Sequence, residues 1–315
     1  MGMSRPYGLW GLIGLLGVVL IILPHVISRY MVFVFYMVWL SIGLAQSWNF
    51  LAGYAGLISL GHAAFFGIGA YTTAMVVAHW GVPFWVAAIG GGLMAAAFSV
   101  AVALPIFRFR GIYFAVGTLV LAEALRIWMI NWDFTGGAQG IHLEPDTGTS
   151  LMGFYYIMLC IAAGTTVLLI AILRTKLGMG LRAIGDNEDS AQNNGVNTFR
   201  AKLYAFLISA FIAGFIGGIH ATKMASIEPY SIFSAMWSLS TVNTVIIGGT
   251  GTVLGPIVGS IFVIFLSELL ADYHTFHLVI TGIILILVIR LIPAGIWGQM
   301  RASRFAKRIR GGVTT

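Results

Sequence analysis

The sequence predicts an all-α, polytopic membrane protein of about ten transmembrane spans, some of them broken or half-length. Three observations predict it. Of 315 residues, 59% are hydrophobic and only 9% charged, with a mean hydropathy of +0.96. A soluble domain carries roughly 25% charged residues because its surface must stay wet, so lipid has to stand in for the missing polar surface. Apolar runs also recur near the roughly 20 residues that cross a hydrocarbon core of about 30 Å. Between those runs the charges change sign from loop to loop.

In chain order the runs fall at 7–26, 30–51, 63–79, 83–104, 111–130, 150–173, 201–223, 237–249, 255–271 and 276–292. The first follows Arg5 and is not succeeded by a small-x-small cleavage site, so it reads as a retained span. The run at 237–249 is too short for an ordinary crossing and reads as a half-helix. A transmembrane domain over 1–298 and a basic tail at 299–315 complete the division of the chain.

The loops orient this map. The connection at 105–110 carries Arg108 and Arg110, and 174–200 carries Arg174, Lys176, Arg182 and Arg200. Between them, 131–149 holds Asp133, Glu144 and Asp146 and no Lys or Arg. Basic loops favour the cytoplasm, so the first two go inside and the third outside. Counting ten spans in both directions then places both termini inside, including the cluster Arg301, Arg304, Lys307, Arg308 and Arg310. That cluster accounts for much of the net charge of +7 as a topology signal that anionic lipid would attract, with no nucleic-acid partner needed.

Gly251, Gly255 and Gly259 are spaced four apart, as are Gly214 and Gly218, the spacing that lets helix backbones approach closely in lipid. The stretches 52–61 and 248–255 are dense enough in glycine to break a helix at membrane depth. Such breaks are tolerated only where protein or a water-filled cavity covers the backbone, and paired breaks point to a substrate path. Their weak mutual similarity leaves an internal inverted repeat open.

Ionisable residues within the spans are few: His62, Glu123, Arg126, His220, Lys223 and Glu268. Glu123 and Arg126, three apart, read as an interfacial ion pair; Lys223 and Glu268 lie near span ends and can snorkel. His62 starts a helix, as a hydrogen-bonded structural histidine or a path-lining one. Cys160 is the single cysteine, which excludes a disulfide framework and a cysteine-based metal site.

The loop 174–200 is the most polar segment. Leu177, Leu181 and Ile184 form an apolar stripe, Gly185 interrupts it, and Asp186 is placed to cap a second short helix with Asp189 in its first turn and Gly195 as its stop. An apolar stripe beside an acidic turn suits a docking surface for a cytoplasmic partner; a helix lying on the membrane is the alternative.

Four segments resemble the permease subunits of branched-chain amino-acid ABC importers, of the LivM type: NFLAGYAGLISLGHAAFFGIGAY (49–71), RGIYFAVGTLVLAEALR (110–126), GMGLRAIGDNEDSAQNNGVNTFRAKLYAFLISAFIAGFIGGIHA (178–221) and TVIIGGTGTVLGPIVGS (244–260). The resemblance implies a bacterial or archaeal plasma (inner) membrane and a heteromeric complex. Its other members would be a homologous second permease, two cytoplasmic ATPase subunits that bind ATP and Mg, and a periplasmic or extracellular substrate-binding protein. It also implies that 178–195 docks on the ATPase, with Leu181, Arg182, Ile184, Asp186, Glu188, Asp189 and Gly195 as coupling residues. Against the importer pattern Glu-Ala-Ala-x-x-x-Gly, the chain has Glu188, Asp189 and Ser190, with Gly195 one residue late.

No Gly-Lys pair occurs, so a phosphate-binding G-x-x-x-x-G-K-[ST] loop is excluded and ATP hydrolysis has to come from another chain. No cofactor or metal is expected on this one. Polar lining of a low-affinity path is assigned to Asn49, Ser59, His62, Thr118 and Asn243. The expected function is inward passage of branched-chain or other small neutral amino acids. A self-sufficient secondary transporter or channel is the alternative, and an intramembrane enzyme is disfavoured because no nucleophile–base pair appears within the spans.

Overall fold

Helices dominate the computed structural model, which describes residues 7–143, 149–224, 226–270, 277–292 and 295–300. In order they are α1 (Tyr7–Val26), α2 (Arg29–Asn49), α3 (His62–Trp80), α4 (Phe84–Ile106), α5 (Ile112–Ile130), α6 (Leu151–Leu173), α7 (Lys176–Asp186), α8 (Glu188–Asn193), α9 (Thr198–Met224), α10 (Pro229–Ile232), α11 (Ala235–Gly248), α12 (Gly255–Leu269) and α13 (His277–Leu291). Two short strands, β1 (Ile141–His142) and β2 (Ser226–Ile227), pair antiparallel. The starts of α2 and α6 are set by Ser28 and Ser150, whose hydroxyls accept from Met31 N–H and Gly153 N–H.

The described residues do not show ten spans. Among the described residues, seven helical stretches are long and apolar enough to cross a membrane: Arg29–Tyr54, His62–Trp80, Phe84–Ile106, Ile112–Ile130, Leu151–Leu173, Thr198–Met224 and Pro229–Gly248. Gly255–Leu269 is a shorter apolar segment of 15 residues. Fifteen residues rise only about 22 Å, short of the hydrocarbon core. An apolar run counts residues, whereas crossing depends on where the helix starts and stops. The same reason corrects the half-helix at 237–249. Pro229 opens a preceding turn, and the combined stretch Pro229–Gly248 is 20 residues long. The tail from Arg301 onward, with Glu144, Asp146 and Thr147, lies outside the described residues.

The ends of the bundle agree with the charge pattern. Arg110 reaches Asp189 at 3.4 Å and Phe107 meets Phe199 with ring centroids 5.9 Å apart, so the two basic loops share one end. At the other end β1 and β2 join the acidic loop to the α9–α10 connection, and His79 stacks on Phe134.

Helices α3, α4 and α9 pack most closely, through glycine. A side chain on Gly69 would come within 2.0 Å of Gly214 O, and one on Gly217 within 2.1 Å of Phe66 O. Here Gly214 and Gly218 serve the close packing their spacing predicts, Gly218 against Ala88 of α4. Gly259 does the same for the α11–α12 hairpin, against Thr244 O at 2.0 Å. By contrast α5 and α6 are peripheral, with most of their residues outside the core, whereas α2 and α9 are largely buried.

Candidate functional site

Both glycine-dense stretches interrupt helix. The end of α2 widens into a π-helical turn at Phe50–Tyr54, and residues 56–61 leave helical geometry before α3 begins at His62. The second interruption, 249–254, separates α11 from α12. At Gly56 and Gly251 the backbone adopts φ of +70° and +69°, a region that glycine enters without a steric cost.

Side chains near the end of α2 hold the two interruptions together. Asn49 Nδ2 donates to Thr252 O at 2.9 Å, and Gly251 N–H donates to Asn49 Oδ1 at 2.9 Å. Gln46 Nε2 donates to Val253 O at 2.7 Å, and Trp48 Nε1 to Ser59 O at 2.6 Å. From α5, Thr118 Oγ1 accepts Leu60 N–H at 3.0 Å, while Ser238 Oγ of α11 accepts Ala63 N–H at 2.9 Å. His62 Nε2 lies 3.1 Å from the hydroxyls of both Ser47 and Ser209. In an apolar medium the freed backbone groups of a broken helix need such partners, and these side chains supply them.

This assigns a different task to the residues expected to line a path. Asn49, Ser59, His62 and Thr118 are buried, and each bonds to the protein through at least one polar atom, although His62 Nδ1 has no hydrogen-bond partner among the described residues. Asn49, Ser59 and Thr118 fasten the interruptions, while His62 joins the hydroxyls of Ser47 and Ser209. Asn243, on α11, is half-buried. Sequence reasoning missed Gln46, Ser47 and Ser209, although the polar cluster Gln46, Ser47, Asn49 at the end of an apolar run was a readable signal.

The loop 174–200 folds directly onto the first interruption. A side chain on Gly185 would lie 2.6 Å from Tyr54 O, and one on Gly56 would lie 3.4 Å from Gly185 Cα. Gly185 therefore permits contact where the sequence suggested a helix break: α7 runs through it to Asp186. Asn187, in extended conformation, caps α8 by accepting Ser190 N–H at 2.8 Å, so Asp186 is not the cap. Gly195 follows the end of α8, as expected of a stop.

The apolar stripe points inward. Leu181 is 0% and Ile184 4% exposed, both within the protein's own core, so neither is available to enter a partner's groove. The reason is that α7 is amphipathic toward the bundle, and periodicity alone does not say which apolar surface a stripe covers. Exposed on this loop are Met179, Arg182, Asp186 and Asp189. Glu188 pairs with the nearly buried Lys202 of α9, and Asp189 with Arg110. The guanidinium of Arg182 lies 5.7 Å from the Tyr54 ring centroid. Arg182, Gly185 and Asp186 border a pocket of about 560 Å³ whose other walls are Gly53, Tyr54 and Gly56 from the first interruption and Gly251 from the second. One pocket thus touches the polar loop and both helix breaks.

Over residues 27–289, from just before α2 into α13, the sequence matches the family described as branched-chain amino acid transport system / permease component. The chain belongs to that family. This permease is 29% identical to the high-affinity branched-chain amino acid transport system permease protein LivM of Escherichia coli (strain K12), over 88% of its own length and 72% of that protein. It is 28% identical to the probable branched-chain amino acid transport permease protein LivH of Methanocaldococcus jannaschii, over 52% of its length and 55% of that relative. To the ribose import permease protein RbsC of Haemophilus influenzae it is 27% identical, over 55% and 57% of the two chains. No solved structure matches it. The permease family and the seven apolar helices make this a multi-pass membrane protein.

Proposed function

We propose that the chain is a permease subunit of an ATP-driven importer of branched-chain or other small neutral amino acids in a bacterial or archaeal plasma membrane. A homologous second permease completes the path, two ATPase subunits bind and hydrolyse ATP with Mg, and an extracytoplasmic binding protein delivers the solute. The basic loops 105–110 and 174–200 face the cytoplasm. Family membership supports the transport role.

One observation carries the coupling: α7 rests on the first helix interruption through Gly185 and Tyr54, and that interruption is fastened to the second through Asn49 and Gly251. A displacement imposed on α7 by a nucleotide-driven partner reaches both breaks without leaving contact distance. The face offered to the ATPase is the outward one, Met179, Arg182, Asp186 and Asp189. Leu181 and Ile184 hold α7 to the permease.

Purification of the complex and uptake of radiolabelled leucine into liposomes tests this. ATP-dependent uptake that requires the binding protein is the expected result; uptake by this chain alone, without ATPases, would overturn it. Sidedness is tested in a Cys160→Ala background. In intact cells an impermeant thiol reagent should label Gln139→Cys, in the acidic loop, and spare Gln192→Cys, on α8.

A further inference from the structure

At the acidic-loop end of the bundle, the turn from α1 into α2 sits beside the start of α6. The hydroxyls of Tyr155 and Tyr156 donate to Leu20 O and Ile21 O at 2.9 and 2.7 Å, which ties α6 to α1 near the latter's end. Between these elements lies a cavity of about 430 Å³, lined by Ile27, Arg29, Val32, Ser150, Leu151 and Met152. Its walls are mostly apolar, and its polar side chains are one guanidinium and one hydroxyl.

The guanidinium is uncommitted. Arg29 is exposed and has no hydrogen-bond or ion-pair partner among the described residues. The other described Arg and Lys residues at this end are engaged: Arg126 pairs with Glu123, and Lys223 Nζ lies 4.1 Å from the Phe33 ring centroid. Ser150 Oγ accepts Gly153 N–H at 3.2 Å, which leaves its own proton to donate.

Depth decides what fits. Arg29 and Leu151 are the first residues of two apolar spans, so the cavity stands where hydrocarbon gives way to head groups. Water needs two to four polar partners, and Ile27, Val32, Leu151 and Met152 offer none. A free phosphate would suit the guanidinium but leave those walls bare. A phospholipid matches both, since Arg presents a planar fork to phosphate oxygens and an acyl chain covers apolar surface. Basic pockets between transmembrane helices are a known form of anionic head-group recognition.

We propose that this notch holds one anionic phospholipid, its phosphate on Arg29 and its upper acyl chain against Ile27, Val32, Leu151 and Met152. The inference rests on the chain spanning a membrane and not on what it transports.

Native mass spectrometry of the delipidated complex in detergent, titrated with dioleoylphosphatidylglycerol, tests it. Wild-type protein should bind one molecule more tightly than any further copies. Arg29→Gln should weaken that first step about tenfold, the effect of one charge-assisted hydrogen bond, and Arg29→Lys should restore part of it. Met152→Trp, which fills the notch and leaves Arg29 in place, should also lose the tight step. Excess inorganic phosphate should not displace the lipid. Equal first-step binding by wild type and Arg29→Gln would reduce it to ordinary surrounding lipid and overturn the proposal. Displacement by inorganic phosphate would leave an anion site without a lipid, and a wild-type complex with no tight step would leave the notch to another subunit; either overturns it. Melting temperature in the same detergent checks that the variants fold, and if Met152→Trp does not, the two Arg29 variants decide.

Discussion

The glycines between α3, α4 and α9 and the glycines at the two interruptions do opposite things with the same side chain. In the first group Gly69, Gly214 and Gly217 keep ordinary helical backbone, and the missing Cβ lets carbonyls of one helix touch the next. In the second, Gly56 and Gly251 take backbone conformations that other residues enter at a cost, and the chain leaves the helix. The first group builds a wall of unbroken helices held at close approach. The second builds a joint whose backbone groups depend on Asn49, Gln46 and Thr118. A membrane protein can keep the wall fixed and still rearrange the joint, because the joint's bonds go to side chains that can find other partners.

The comparison can be broken most severely at the wall. Gly69→Leu would drive a side chain into Gly214 O, for which the backbones have to separate. We expect a destabilisation of about 3 kcal/mol or more, seen as loss of monodisperse protein in detergent. Normal melting of this variant would mean that the helices are not held by close approach.

Next comes Asn49→Leu, which fills the volume but leaves Gly251 N–H and Thr252 O without partners. Each unmatched buried group costs about 1–3 kcal/mol. The permease should therefore melt earlier while the α3–α4–α9 wall survives, which hydrogen exchange would show as protection lost at 249–254 and retained in α9.

Gly251→Ala is milder, about 1–2 kcal/mol for a left-handed alanine, and sharpens the comparison because stability and transport should separate. The protein should assemble, yet uptake should fall out of proportion to the change in melting temperature, as hinge positions do. Equal losses in both would make Gly251 another wall residue.

The smallest effect is expected at Arg110→Ala, which removes an ion pair whose side chains are 69% and 73% exposed. Such pairs contribute at most about 1 kcal/mol and less at this exposure, so melting should hardly change. Glu188→Gln should cost more, since it strands Lys202, whose side chain is 9% exposed.

Much of this was legible in the sequence, because lipid imposes it locally. Apolar composition required membrane helices, four-residue glycine spacing required close packing at Gly214, Gly218 and Gly259, and glycine density marked both interruptions. Charge sign along the loops was enough to group 105–110 with 174–200 and set them opposite the acidic loop. The motifs of 49–71 and 178–221 were enough to suggest the family.

Only tertiary structure decided the span count, because a helix of 15 residues and one of 20 give similar apolar runs when flanking polar residues continue or end the turn. Only tertiary structure turned Leu181 and Ile184 inward, since periodicity defines an apolar face without saying whether the partner is another protein, the lipid or the same chain. The same holds for Asn49, Ser59 and Thr118. A polar residue in an apolar run announces that it must be satisfied, and whether solute, water or a broken backbone satisfies it is settled by what lies across from it. Here that is a glycine backbone 202 positions away, joined to Asn49 at Gly251.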